Sequence, residues 1–432
     1  MQRIKLGILG LGTVGTGTLN VLQRNYQAIC QQVGAELVIK RIAVRDLTKA
    51  RACNTADIAL TDDPLQVVND PEINIIVELM GGTQLARECV LAAIAQGKHV
   101  VTANKALIAL HGNEVMAQAL KQQVMLAFEA AVAGGIPIIK TMRESLAANQ
   151  ITQIRAILNG TSNYILTEMA EQQREFPQAL QQAQALGYAE ADPSLDVDGI
   201  DVAHKLMILA SIAFAIPMHC DALHVEGIRH ITQRDIQYAE QLGLAIKHMG
   251  IAERYAEGVR LRVHPCLVPR HNLLAHVRGV NNAVMVQGDA VGETLYYGAG
   301  AGSEPTASAV LADIIAVAQA LRHNHIDPNL HYQVDQSLPL LAMQGLRTGY
   351  YLRLMVHDQA GVLADVTQIF GEFNISIESM IQKERAQQAS GLVPVIIITH
   401  DNVEESALQQ AVTRMQLLSS VYEDILVLRL LG

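Results

Sequence analysis

A short apolar run, Ile4–Leu9, opens the chain and breaks into Gly10-Leu11-Gly12-Thr13-Val14-Gly15, with helical character behind it over Thr18–Gln23. Few sequence features restrict a fold as tightly. Glycines at this spacing let backbone N–H groups close on a pyrophosphate at a helix N-terminus, which commits the segment to a strand–turn–helix unit. Gly10, Gly12, Thr13, Val14 and Gly15 are therefore the expected cradle of a dinucleotide. Strand-like runs at Leu37–Val44, Ile73–Leu79 and His99–Ala103 then alternate with helical stretches at Gln84–Gln96 and Leu107–Gln122. That alternation is the mark of an α/β, doubly wound parallel sheet of Rossmann type. The near-continuous apolar character of INIIVEL suits a strand buried on both faces.

Ligands of such sheets bind beyond the carboxyl ends of the strands. After the second strand the first polar residue is Arg45, with Asp46 behind it and Lys49 and Arg51 near. An acid in this place grips the ribose 2′-hydroxyl of NAD, and a cation favours a 2′-phosphate. Arg45 points to NADP(H) as the preferred cofactor; gripping by Asp46 leaves NAD(H) open. The turn Met80-Gly81-Gly82-Thr83 follows the third strand and would face the cofactor through Thr83. Lys105 follows the fourth strand, where it is either a surface lysine or a ligand-facing one.

A second constellation lies in GYAEADPSLDVDGIDVAHKLMILA, Gly187–Ala210. A polar turn carries Glu190, Asp192, Asp196 and Asp198, and the helix behind it carries Asp201 and Lys205 at i and i+4, side by side on one face. Acids near a helix start suit its positive end. A solvated loop with a surface ion pair is the plain alternative, but the run LMILA directly after Lys205 draws that lysine toward a dry interior. Asn159 and Thr161, in the turn after an expected strand at Ile151–Leu158, read as turn and cap residues. His204 reads as packed or solvated. His264–Pro269 reads as an edge strand broken by prolines, and Asn281–Thr294 as a hairpin around Gly288-Asp289. A glycine-rich loop at Gly298–Gly302 opens a long helix, with Ser303 before Pro305 as its cap.

A length of 432 residues favours two or three domains, and a net charge of −10 argues against nucleic acid as a partner. Five scattered cysteines without a C-x-x-C pair favour reduced thiols in a cytoplasmic setting. No uninterrupted apolar stretch suggests a membrane span.

The strings GLGTVGTG, TANKALIA, FEAAVAGGIPII, ILNGTSNYIL, DPSLDVDGIDVAHKLMILA and GAGAGSEPTASAVLADI, in this order, closely resemble the homoserine dehydrogenases. The resemblance covers essentially the whole chain. It implies reduction of L-aspartate 4-semialdehyde to L-homoserine by NAD(P)H, with Lys205 as proton donor and acceptor. It further implies that Lys105 serves cofactor and reacting oxygen, that Glu190 and Asp201 bind substrate, that the NGTSNY turn holding Asn159 and Thr161 lines the substrate pocket, and that Gly187 and Gly302 lie against the cofactor. By the same resemblance, Glu129 and the carbonyls of Val132, Gly134 and Ile136 would hold a monovalent cation, sodium or potassium. The string MVHDQAGVLADVTQIFGEFNISIESMIQ looks like an ACT domain, and the order βαββαβ beginning at Tyr350 is ferredoxin-like. ACT modules bind amino acids and pair with other copies; a purely structural dimerisation piece is the alternative.

The expected organisation is a Rossmann domain over 1–135 completed by a helix at 303–335 and an α+β substrate and dimerisation domain over 136–302. A linker at 336–348 and an ACT domain over 349–432 follow. Expected partners are the small-molecule substrate, a threonine effector and further copies in a homodimer or homotetramer. An amino-acid sensor with a vestigial nucleotide site, and a dehydrogenase of another small amino or hydroxy acid, are the competing readings.

Overall fold

The structure is a computed structural model that describes residues 2–323, 338–382 and 391–432. The amino-terminal unit is a six-stranded sheet in the order β3-β2-β1-β4-β5-β6. Its strands are β1 (Arg3–Leu9), β2 (Glu36–Ala43), β3 (Ala59–Thr61), β4 (Ile75–Glu78), β5 (His99–Thr102) and β6 (Leu126–Ala127), all paired in parallel. Helices α1 (Thr13–Arg24), α2 (Tyr26–Val33), α3 (Pro64–Val68), α4 (Gln84–Ala95) and α5 (Lys105–Lys121) cover the two faces. All four residues of β4 are buried, as a strand covered on both sides must be.

The next unit begins with α6 (Ile138–Lys140) and β7 (Ile151–Ile157), then α7 (Gly160–Gln172), α8 (Phe176–Ala185), α9 (Ser194–Val197) and α10 (Ile200–Phe214). There follow β8 (His224–Val225), α11 (Gln233–Gln241), β9 (Leu244–Tyr255), β10 (Gly258–Pro269), β11 (Asn281–Gly288) and β12 (Gly292–Ala299). Helix α10 lies across the sheet, burying Val202, Leu206, Met207, Ile208 and Leu209. The chain returns to the first unit through α12 (Ser303–His323), which packs so closely on α1 that a Cβ on Gly17 would sit 2.5 Å from Ser303 O. By length and composition α12 could cross a membrane. Here it is a core helix, with Ala307, Val310, Ile314 and Val317 fully buried. The expected run of this helix to residue 335 and the first part of the linker lie outside the described residues.

The carboxyl-terminal unit comprises β13 (Arg347–Thr348), β14 (Tyr350–His357), α13 (Val362–Glu372), β15 (Ile377–Ile381), β16 (Leu392–Thr399), β17 (Val403–Glu404), α14 (Glu405–Gln416) and β18 (Leu426–Leu430). Leaving aside the two-residue β13 and β17, which pair with each other, the order is the expected βαββαβ.

Two expectations fail. His264–Pro269 is no edge strand: β10 runs unbroken through both prolines, antiparallel to β9 over its whole length. Its other side is shared by β8, at Arg262 and Val263, and β18, at Cys266 and Leu267. Pro265, which has no N–H to give a ladder, falls between those two pairings. Through β18 the sheets of the second and third units become one, ten strands in the order β12-β11-β7-β9-β10-β18-β14-β16-β15 with β8 beside β10. Ser303, in turn, is not the residue ahead of its helix but lies within α12, and its hydroxyl donates to Thr13 O at 2.9 Å.

Candidate active site

Asp201 is the hub. It stands in the first turn of α10, only 5% exposed, and its two oxygens take ammonium groups from different parts of the chain. Lys205 Nζ, one turn on, donates to Oδ2 at 2.8 Å, and Lys105 Nζ lies 2.9 Å from Oδ1. Burial would push the Asp201 carboxyl up, but the two ammoniums reverse this and hold it well below the usual range. Lys205 also donates to Leu158 O at 2.7 Å, an oxygen that accepts Asn282 Nδ2 at 2.9 Å. One carboxylate thus serves two cations.

Lys105 is the first residue of α5, where the helix dipole disfavours a cation. Burial opposes its charge as well, yet Asp201, with Asp196 and Glu190 behind it, holds its pKa above the ordinary value. A lysine kept charged against its own helix end is costly unless something needs it there. Asn104 caps this helix, accepting from Leu107 N at 3.0 Å, and its Nδ2 donates to Gly82 O at 2.6 Å. Beneath both lies Glu78, fully buried, which accepts Met80 N at 2.8 Å and the Thr102 hydroxyl at 2.7 Å. The Met80–Thr83 turn and Lys105 are therefore fixed to one another; Thr83 itself precedes α4.

Asn159 goes beyond the cap expected of it. Its Oδ1 accepts Ser162 N at 2.7 Å at the start of α7, and its Nδ2 donates to Asp201 at 2.9 Å and to Asp196 at 2.7 Å. Asn282, Asn104 and Glu78 are site residues that the sequence does not reveal, and only family resemblance puts Asn159 in a pocket-lining turn. Only Asn159 and Asn104 carried a signal, each standing where a strand meets a helix. Glu190 is exposed on the lip of the site, its carbonyl held by Gln184 at 3.1 Å. Gly187 closes α8 with φ 72°. His204 is half-buried, and burial lowers its pKa although Asp201 opposes this.

In the nucleotide unit, α1 has Gly12 at its N-cap, no side-chain cap hydrogen bond and no acid in its first turn, so its first N–H groups are not taken by a capping side chain. Gly10, at φ 98°, packs on the Leu79 carbonyl, and a Cβ on Gly15 would meet Gly10 O at 2.5 Å. No atom lies within 4 Å of where a Cβ would stand at Gly12, Gly81 or Gly82, leaving room for an anion to reach backbone. Gly302, φ 122°, ends the loop leading into α12. Arg45 is exposed just past β2, whereas Asp46 Oδ1 is turned into its own loop by Thr48 N and hydroxyl at 2.8 and 2.7 Å.

Glu129, Val132, Gly134 and Ile136 share one buried loop. Both Glu129 oxygens already accept backbone N–H, from Ile139 at 2.8 Å and Lys140 at 2.7 Å, and Ile136 O accepts Ile138 N at 2.8 Å. Burial, with the Asp313 carboxylate beside it, pushes Glu129 up to about 7. Among the described residues no three His, Cys, Asp or Glu side chains gather as a metal cluster. A loop of carbonyls with one carboxylate differs from such a cluster, and a bound monovalent ion would relieve the cost of ionising Glu129.

Three family models match in tandem. They are the homoserine dehydrogenase NAD binding domain over residues 10–129, homoserine dehydrogenase over 137–315, and the ACT domain over 350–412. The chain is 51% identical to a homoserine dehydrogenase of Pseudomonas aeruginosa, spanning 99% of both chains, and 46% identical to one of Neisseria gonorrhoeae, spanning 100% of this chain and 99% of that one. The crystal structure of a homoserine dehydrogenase from Thiobacillus denitrificans is similar over 100% of this chain and 99% of that one, with a TM-score of 0.95 at 51% identity. A hyperthermophilic archaeal homoserine dehydrogenase in complex with NADPH is similar over 76% of this chain and 100% of that one, with a TM-score of 0.64 at 27% identity.

Proposed function

The chain belongs to the homoserine dehydrogenases, oxidoreductases with a nucleotide-binding domain and, here, a carboxyl-terminal ACT domain, and from that premise we propose how its residues divide the work. The nicotinamide supplies the hydride that converts the aldehyde carbon of aspartate 4-semialdehyde to the alcohol of homoserine. Lys205 gives the nascent alkoxide its proton and takes it back in the reverse direction. Lys105 orients the reacting oxygen and the cofactor, and Asp201 holds both lysines in place while Glu190, on the lip, meets the substrate's ammonium. Asn159 keeps Asp201 turned toward the two amines. The observation that carries this reading is the single buried carboxylate bridging two ammoniums, one from α5 of the nucleotide unit and one from α10 of the substrate unit.

The pyrophosphate would lie on the amides from Gly10 to Gly15, with Thr83, Gly187 and Gly302 nearer the nicotinamide half. Arg45 favours NADP(H) over NAD(H), supported by an Asp46 that is engaged elsewhere. A monovalent cation at Glu129 and the carbonyls of Val132, Gly134 and Ile136 would tie the first domain to the second. We place the enzyme in the cytoplasm as a homodimer or homotetramer in threonine, methionine and isoleucine biosynthesis, with threonine as effector of the ACT domain. The test is aspartate semialdehyde reduction with NADPH and with NADH, repeated with Arg45→Ala. Faster turnover with NADPH, lost in the variant, is expected. Equal rates with both cofactors in the parent enzyme would overturn the cofactor assignment.

A further inference from the structure

Two ion clusters, one buried and one part-buried, hold the carboxyl-terminal module on the substrate domain, and the part-buried one continues into the catalytic turn. Arg429, on β18, is 2% exposed. Its Nε and Nη2 donate to Glu405 of its own module at 2.8 and 2.6 Å, and its Nη1 donates to Glu226 of the substrate domain at 2.9 Å. His224 Nε2 lies 2.7 Å from the same Glu226 carboxylate. From Glu226 the backbone carries on. Glu226 N donates to Val263 O at 2.7 Å, and Ile228 N donates to Val197 O at 2.9 Å. A Cβ on Gly227 would stand 2.5 Å from Val197 O. His248 Nε2 contacts Glu226 O at 3.0 Å, and its ring closes on Gly199, where a Cβ would lie 3.2 Å from it and 3.0 Å from Val225. Gly199, at φ 89°, immediately precedes α10, two residues before Asp201.

We propose that Glu226 is a positioning residue that ties the seating of the carboxyl-terminal module, through Arg429, to the Val197–Gly199 turn and so to the Asp201–Lys205 geometry. The inference rests on the roles given above to Asp201 and Lys205. The route runs through backbone against backbone, the fully buried His248 ring wedged between Glu226 O and Gly199, and a part-buried Arg429–Glu226 pair, so a shift of β18 is passed on rather than absorbed. The second cluster provides the control. Arg353 Nε donates to Asp235 at 2.7 Å and Tyr351 Oη donates to the same oxygen at 3.1 Å, but Asp235 lies in the first turn of α11 and is capped to Thr232.

The experiment compares Glu226→Gln, which keeps size and removes charge, with Arg353→Met in the full-length enzyme without effector. It measures steady-state kinetics, melting temperature and amide hydrogen exchange over residues 197–205. Glu226→Gln is expected to lower kcat by about three- to tenfold, to leave KM for the nicotinamide cofactor unchanged and to speed exchange in that segment. Arg353→Met is expected to lower the melting temperature while leaving kcat and that exchange as in the parent. Unchanged exchange in Glu226→Gln, or an equal effect from Arg353→Met, overturns the proposal. Faster exchange with unchanged turnover upholds the linkage and counts instead against the roles of Asp201 and Lys205.

Discussion

Replacing Lys205 by methionine removes the ammonium and keeps most of the volume. Asp201 retains Lys105 at 2.9 Å and Asn159 at 2.9 Å, so its carboxylate is not orphaned and the fold should survive. The effect on turnover has two parts. An ammonium about 3 Å from an oxygen that carries about half a charge in the transition state contributes about 2–3 kcal/mol at an effective dielectric near 20, and the Asp201 charge, present in parent and variant alike, cancels from the comparison. The lower figure, about 2 kcal/mol, corresponds to roughly 30-fold in rate. Loss of the proton donor adds a factor of about 10² or more, but both parts act through one nitrogen and overlap. A fall in kcat of about 10²–10³-fold is therefore expected for Lys205→Met. Lys205→Arg separates the parts, since a guanidinium keeps the charge and does not release its proton; it should recover roughly the 30-fold electrostatic share and no more. Nicotinamide absorbance with aspartate semialdehyde follows both variants, and cofactor affinity measured by fluorescence titration should not change. A methionine variant within about fivefold of the parent would refute the reasoning.

Four further outcomes are expected. Glu129 keeps its proton to about pH 7 in the folded protein, above the ordinary carboxyl value, so its burial destabilises the ion-free enzyme increasingly as pH rises through that interval. A cation binds the ionised form; sodium or potassium chloride should raise the melting temperature more at about pH 8 than at about pH 6, against a choline chloride control, and equal shifts would remove the site. Asn159→Ala should cost about 1 kcal/mol of stability through its cap and lower kcat through Asp201, seen by denaturant titration and steady-state rates. Gly199→Ala, at positive φ against His248, should destabilise by about 1–3 kcal/mol and reduce turnover, whereas Gly243→Ala, at positive φ with open space, should show the backbone effect alone. Threonine should inhibit the full-length enzyme, and substitution of a residue of the ACT effector site, once located by hydrogen exchange with threonine bound, should abolish the inhibition. Truncation near residue 345 is a poor test, because it strips β18 from β10 and leaves Glu226 without Arg429.

The nucleotide unit was legible because its signals are local. A strand, a glycine turn and a helix follow one another in sequence, and apolar period alone separates them. Asp201 and Lys205 were legible for the same reason, one helical turn apart. Lys105 was not readable as their partner from spacing, since a fold must bring α5 to α10 before the two can meet; family resemblance put it in the active site, and its contact with Asp201 appears only in the structure. Asn159 carried a cap signal that concealed a second role, because one side-chain amide serves backbone and carboxylate together. The strand holding Pro265 was misread for a different reason. Proline rules describe what a lost N–H costs when a neighbour needs it, and here the neighbouring strands leave a gap at that residue.

The parallel pairing of Cys266 and Leu267 with Arg429 and Leu430 has a bearing on how this chain comes apart. A module hung on a tether can melt by itself. One that shares a ladder exposes unpaired amides on its host when it leaves, and carries a buried arginine away from its acid. Heating should therefore dissolve the catalytic and carboxyl-terminal units in a single step. Any small molecule that braces the far end would then protect the reaction centre against heat as well.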